Sequence, residues 1–118
     1  MHANSFILHE DGKIDIQEPR FINLDLQSML RANYIHGGTV MYERSLFDEF
    51  GLFDESLTTA EEYEFYLRLF KAKILPGYLN ETIFNYRRHK LQKSLGDMSP
   101  EYQAKRKEGL NEIKNRYR

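Results

Sequence analysis

Cysteine and tryptophan are both missing from this chain of 118 residues. Without cysteine there is no disulfide framework, no thiolate metal site and no thiol nucleophile. No apolar run approaches the roughly 20 residues that a membrane span requires. The N-terminus lacks the basic-then-apolar pattern of a secretion signal, so the sequon Asn80-Glu81-Thr82 reads as chance. Neither sign of charge is in excess. A formal net charge of −1 gives no general attraction to nucleic acid or to an anionic membrane. There is no His-Glu-x-x-His zinc motif and no Gly-x-Ser-x-Gly nucleophile elbow. His36-Gly37-Gly38 lacks both the Gly-x-Gly-x-x-Gly pattern and the Walker lysine of a phosphate loop. The basic C-terminal stretch comes without an aromatic-basic RNA signature or a recognition-helix pattern, so nucleic acid is not an expected partner.

What is present suits one ordinary domain. Hydrophobic residues make up 41% and aromatic residues 14% of the chain, values of a folded protein. Charge is segregated along it. Residues 43–64 carry Glu43, Asp48, Glu49, Asp54, Glu55, Glu61, Glu62 and Glu64 against Arg44 alone. The balance then reverses with Arg87, Arg88, Lys90 and Lys93, followed by Lys105, Arg106, Lys107, Lys114, Arg116 and Arg118. Such a division can be plain solvated surface, or it can place a base or metal beside a phosphate.

Asp11-Gly12 between the apolar stretches 5–8 and 13–16 predicts a hairpin. Asn23 is placed to cap a short helix carrying Leu24, Leu26, Met29 and Leu30. Thr39-Val40-Met41-Tyr42 predicts a short buried strand, and residues 45–50 a short helix closed by Gly51. A second helix is expected over 60–73, with Phe65, Tyr66, Leu69 and Phe70 at helical spacing. Ile74-Leu75 should open a strand that Pro76-Gly77 bends. The next strand is expected over 82–89, with Ile83, Asn85, Arg87 and His89 on one face and Thr82, Phe84, Tyr86 and Arg88 on the other. Ser99-Pro100-Glu101 is a helix start, and Tyr102, Leu110, Ile113 and Tyr117 form a thin apolar stripe behind it. The expected fold class is α/β, with helices alternating with a few short strands.

The most informative local feature is Glu61-Glu62 at the mouth of the second helix. Thr58 with Glu61 and Thr59 with Glu62 both fit the capping box, and spacing alone favours that role. The other reading is a carboxylate facing a cleft, able to take a proton from an attacking hydroxyl. His89, among Arg87, Arg88 and Lys90, is either a surface residue or a neutral imidazole ready for a divalent metal or a phosphate. Gly37 and Gly38 mark a turn or let a ligand approach the backbone closely.

Taken in order, the motifs say more than any one of them. Gly37-Gly38-Thr39-Val40-Met41-Tyr42-Glu43-Arg44 is followed by Phe50-Gly51-Leu52-Phe53-Asp54-Glu55. Then come Glu61-Glu62-Tyr63-Glu64-Phe65, Leu67-Arg68-Leu69, and Tyr86-Arg87-Arg88-His89 with Ser94 shortly after. Over residues 33–94 this series resembles the C-terminal half of family 2 glycosyltransferases of the GT-A fold. Residues 6–16 look like that family's strand pair just upstream.

The resemblance implies a partial GT-A (Rossmann-like) domain over residues 1–98, a short mixed sheet with helices, followed by a C-terminal amphipathic helix over 99–118. It puts Glu62 at the catalytic base and Glu61 beside it at the acceptor. Gly37 and Gly38 would line the acceptor side, Arg88 and Lys90 would contact phosphate, and His89 would stand near the metal and diphosphate. The implied reaction is inverting transfer of a sugar from a nucleotide diphosphate sugar to a hydroxyl of a carbohydrate or lipid-linked acceptor, with Mg or Mn as cofactor and a cytoplasmic setting that allows peripheral membrane contact. Two departures qualify it. Glu62 stands where the family has Asp, and a shift of about 1 Å at a reacting group can cost about a hundredfold in rate. No Asp-x-Asp occurs in the chain, so the nucleotide-binding half that carries it, and most of the metal site, is missing. The chain is therefore expected to be the acceptor-side half, inactive or nearly so alone, with an unpaired sheet edge and an apolar face that lead to self-association or to contact with a separate nucleotide-binding half.

Overall fold

The structure is a computed structural model that describes residues 1–18, 24–89 and 99–118. Lys90 and Asn23, both singled out from the sequence, lie outside the described residues, as does Ser94. The fold is α/β: a small three-stranded mixed sheet with helices.

The predicted hairpin is present. β1 (His2–Leu8) and β2 (Ile14–Gln17) pair antiparallel, with Phe6 opposite Ile16 and Leu8 opposite Ile14. Gly12 at φ 89° makes the turn, a conformation glycine adopts without steric cost. β3 (Tyr78–Arg87) pairs parallel on the other edge of β1, giving the order β2-β1-β3. β3 starts earlier than expected, and the alternation holds: Thr82, Phe84 and Tyr86 are half-buried while Ile83, Asn85 and Arg87 are exposed. Arg88 and His89 follow the strand rather than belong to it.

Among the described residues four α-helices complete the fold. α1 (Leu26–Arg31) starts at a capping box in which Asp25 and Ser28 bond to each other's backbone amides; this box, rather than Asn23, begins the helix. α2 (Ser45–Phe50) ends at Gly51, φ 83°. α3 (Glu61–Lys71) is the central element. Tyr63, Phe65, Tyr66, Leu67, Leu69 and Phe70 are all buried, so it is enclosed on nearly every side. α4 (Pro100–Tyr117) begins at Ser99, whose hydroxyl accepts from Tyr102 N at 3.2 Å. Of its expected stripe, Ile113 is buried in the core of α1 and α3 with Leu110 and Tyr117 against it, while Tyr102 lies outside that cluster.

Two strand expectations are corrected. Residues 39–42 form no strand; a single 3-10 turn spans Gly37–Thr39 instead. Met41 N donates to Met1 O at 2.9 Å and Met41 O accepts from the Met1 amino group at 3.0 Å, so the segment bonds just beyond the end of β1 rather than extending as a strand. The Thr39 hydroxyl instead donates to His36 O at 2.8 Å and accepts from Ala3 N at 3.1 Å, a local alternative to sheet bonding. Ile74 and Leu75 are likewise outside the sheet. α3 closes with Lys73 N bonded to Phe70 O and Ile74 N to Leu69 O, a Schellman ending that directs the chain away before β3 begins.

Aromatic packing holds the loop before α3. Phe47 stacks on Phe65 with centroids 5.2 Å apart, and Phe53 and Tyr42 meet the same ring edge-on. Buried Glu64 bonds Arg68 at 2.6 Å and accepts from the Tyr117 hydroxyl, joining α3 to α4. Arg68 also donates to Phe50 O and Leu52 O at 2.8 and 3.0 Å, so one guanidinium fixes the turn at Gly51. Among the described residues no helix is long and apolar enough to cross a membrane.

Candidate functional site

The N-terminus of α3 opens on a cleft of about 640 Å³, a volume suited to a small ligand. Glu61 and Glu62 form one wall with Thr59 and Ala60; the C-terminal end of α1, Tyr86 of β3 and one face of α4 form the rest.

The capping role that spacing favours for the threonines is not taken. The N-cap is Ala60, and no side chain bonds to the helix's first amides from that position. Glu61 and Glu62 therefore occupy the first two helical positions, where a side chain cannot reach back as the third residue of a capping box does. Ala60 itself is left-handed, φ 60° and ψ 26°. That conformation costs an L-residue about 1–2 kcal/mol, and such strain tends to gather where function demands a geometry.

The Glu62 carboxylate lies directly over the α-carbon of Gly37. A methyl group built there would fall 1.8 Å from Glu62 Oε2. Gly37 is thus glycine because the carboxylate occupies the space of its side chain. The buried Tyr66 hydroxyl donates to Glu62 Oε2 at 3.4 Å, and burial holds that phenol well above its ordinary pKa, so it stays a neutral donor. Burial also raises Tyr42, which bonds Tyr66. Gly38 has a different neighbour: a methyl there would meet the Phe84 ring at 2.4 Å. His36, just before the glycines, sits edge-on to Phe84 and Tyr86 at 5.2 and 4.6 Å, with Nδ1 2.8 Å from Ser5 Oγ. Burial lowers its pKa, so the sheet-side floor under the glycines is uncharged near neutrality.

The structure thus brings together Glu61, Glu62 and Gly37, with Gly38 one residue away and turned to the sheet. Arg88 and His89 follow the end of β3 and are not among the residues that line the cleft; Tyr86 is. Among the described residues no three His, Asp or Glu side chains come together as a metal site. The described residues do not fit a metal centre by themselves, and His89 is at most one ligand of one.

Several site residues escaped the sequence reading. Tyr66 and Tyr42 looked like core aromatics. Arg31 carries no sequence signal, and Arg106 and Lys114 read as solvated charge, although Arg106, Leu110 and Lys114 recur at the i, i+4, i+8 spacing of one helical face. On the far side of α4, Arg116 pairs with Asp54 at 3.0 Å. The Ser56 hydroxyl and amide, then Arg116, hold the Asp54 pKa down to about 2. Comparison with known proteins returned no match, whether with family models, with curated proteins or with solved structures.

Proposed function

We propose that the chain is the acceptor-side half of an inverting glycosyltransferase of the GT-A type, with Glu62 as the base. The observation that carries this reading is the placement of the Glu62 carboxylate. It lies over a glycine α-carbon, at a strained helix entrance, on the wall of a cleft large enough for a sugar. A carboxylate so placed can accept the proton of an acceptor hydroxyl. The hydroxyl oxygen then bonds to the anomeric carbon of the donor from the face opposite the leaving group, and the bond to the nucleoside diphosphate breaks. Glu61 contacts the acceptor beside it. The order of motifs from Gly37 to His89 supports the same reading. The nucleotide sugar and a Mg or Mn ion would be held by a donor-binding half that carries the Asp-x-Asp this chain lacks, and the resemblance assigns Arg88, His89 and Lys90 to contacts near the diphosphate. The product belongs to polysaccharide, glycan or glycolipid synthesis, and the expected setting is the cytoplasm.

The test is Glu62→Gln in the chain assembled with a nucleotide-sugar-binding half. Loss of a general base lowers transfer by about 10²–10⁴-fold, while donor binding measured by calorimetry stays unchanged. Transfer that survives the substitution overturns the assignment. The chain alone should release no nucleoside diphosphate from a nucleotide sugar.

A second reading keeps the cleft and drops the chemistry: a non-catalytic acceptor-binding module. It is favoured by the absence of Asp-x-Asp and by glutamate where the family has aspartate. Acceptor binding without transfer in the assembled protein distinguishes it.

Self-association is part of the proposal. One face of the sheet carries Ile14, Ile16 and Ile83, all more than half exposed, beside half-buried Phe6 and Leu8. A second copy laid on this face would cover it. Sedimentation at high concentration should show dimers that Ile16→Lys dissociates; a strict monomer removes this part of the reading.

A further inference from the structure

α3 borders two pockets that share no described lining residue. The cleft takes the first turn of α3 and Tyr86, near the end of β3. The second pocket, of about 210 Å³, lies at the other end of the strands, against His2 at the start of β1 and Gly77 just before β3. Substrates of open α/β sheets gather at the carboxyl ends of the strands, so the second pocket is no extension of the cleft. Its walls are apolar: Val40, Leu46 of α2, and Leu69 and Phe70 of α3. Met41 and Leu75 also line it, and they are 67% and 55% exposed. Among the described residues the lining has one acidic side chain, Glu43, and neither lysine nor arginine. An anion finds no partner there, and a cation would lose its hydration against apolar walls. An unfilled apolar hollow forfeits the contacts its lining would otherwise make. The space is smaller than the roughly 300 Å³ at which drug-sized ligand pockets begin, yet larger than the cavity of about 150 Å³ that takes up benzene. Tyr42 and Tyr66 line this pocket too. They bond to each other, and the Tyr66 hydroxyl donates to Glu62 Oε2 at 3.4 Å. One side chain thus reaches from the second pocket to the carboxylate of the cleft.

We infer that the second pocket binds a small uncharged apolar molecule, the size of one ring or a short branched chain, and that its occupancy is felt at Glu62 through Tyr66. A molecule seated against the two tyrosine rings restricts a phenol whose bond to Glu62 is long for an O–H···O contact and has room to shorten. The site stands whatever chemistry Glu62 performs.

The test is titration of the chain with indole and cyclohexanol as probes and glucose as control, followed by side-chain chemical shifts. Both probes should bind saturably and shift the Leu69 methyl and Phe70 ring resonances; glucose should leave them in place. Leu46→Trp fills the pocket and should weaken probe binding about tenfold or more. Leu75→Lys, at an exposed position, sets a charge at the mouth without touching the core. It should weaken binding about threefold or more and keeps the test open if the larger substitution unfolds the chain. Bound indole should also shift the Glu62 carboxyl carbon resonance. Tyr66→Phe should keep indole binding, because the ring contacts remain, while the shift at Glu62 disappears. No saturable binding of either probe, or undiminished binding by the folded variants at Leu46 and Leu75, overturns the site. A Glu62 resonance that ignores bound indole, or answers it equally in Tyr66→Phe, overturns the coupling. Movement of the Leu69 and Phe70 resonances on raising the protein concentration alone shows that a second copy fills the pocket, and it too overturns the inference. Transfer that survives Glu62→Gln overturns the base and leaves this pocket standing.

Discussion

The two ends of α3 both hold a non-glycine residue in the left-handed region, Ala60 at φ 60° and Lys73 at φ 63°, yet they differ in kind. At the C-terminus the conformation is part of a hydrogen-bonded ending, with Lys73 N and Ile74 N closing on Phe70 O and Leu69 O. The strain there is a routine consequence of stopping a helix. At the N-terminus no side-chain cap accompanies Ala60, although Thr58 and Thr59 stand next to it. What the strained residue achieves is the placement of two carboxylates, one over Gly37 and both on the cleft. The same backbone conformation therefore reads as helix termination at one end and as a positioned site at the other.

That contrast can be tested, and the largest effect is expected at Gly37. Gly37→Ala forces the Glu62 carboxylate aside. Since only the flexible end of a side chain must move, thermal stability should change little. On the proposed role of Glu62 as base, transfer by the chain assembled with a donor-binding half should fall by about a hundredfold, as for any displacement of about 1 Å at a reacting group. The neighbouring Gly38→Ala should behave in the opposite way. Its methyl meets the Phe84 ring, an overpacking that costs about 1–3 kcal/mol in denaturant unfolding. If both substitutions give the same pattern, the two glycines do not divide their work as described.

Smaller effects separate the helix ends. Lys73→Gly and Ala60→Gly each relieve left-handed strain and should raise stability by up to about 1 kcal/mol. Lys73→Gly should leave acceptor binding untouched. Ala60→Gly should loosen the glutamate pair and weaken it. Equal effects on binding would remove the distinction between the ends.

The smallest effect is a pH dependence beneath the glycines. Burial lowers the pKa of His36 and of His2, with the chain's amino-terminal charge adding to the effect at His2. The unfolded chain then binds protons that the folded chain refuses, so stability rises with pH across this window. The contribution is complete above the ordinary histidine value of about 6.5 and is lost as pH falls below it. Melting temperature should drop between pH 7.5 and 5.5, and His36→Gln should reduce the drop. A flat profile over that range would show that neither buried imidazole matters to stability.

Much of the fold could be read in advance where local chemistry decides it. Asp11-Gly12 gave the hairpin, Ser99-Pro100 the start of α4, and the spacing of Phe65, Tyr66, Leu69 and Phe70 gave α3. The misreadings share a cause. Residues 39–42 have strand composition, but Gly37–Thr39 closes as a 3-10 turn and the Thr39 hydroxyl bonds His36 O and Ala3 N instead. Thr58 and Thr59 have capping composition, but where the helix begins depends on how the preceding aromatic loop is anchored by Arg68. At the site, Glu61, Glu62 and Gly37 stood out in the sequence; Tyr66 and the cations of α1 and α4 did not, because the cleft draws on elements spread over most of the chain.

By itself the sequence determined the hairpin, the helices and their order, the acidic pair at a helix entrance and the separation of acidic from basic segments, all consequences of periodicity and nearest-neighbour chemistry. Only the tertiary structure decided that Ala60, not a threonine, starts α3, that the Glu62 carboxylate takes the place of a side chain at Gly37, and that the basic face of α4 closes the same cleft. Those outcomes depend on which surfaces pack together, which residue order along the chain does not specify.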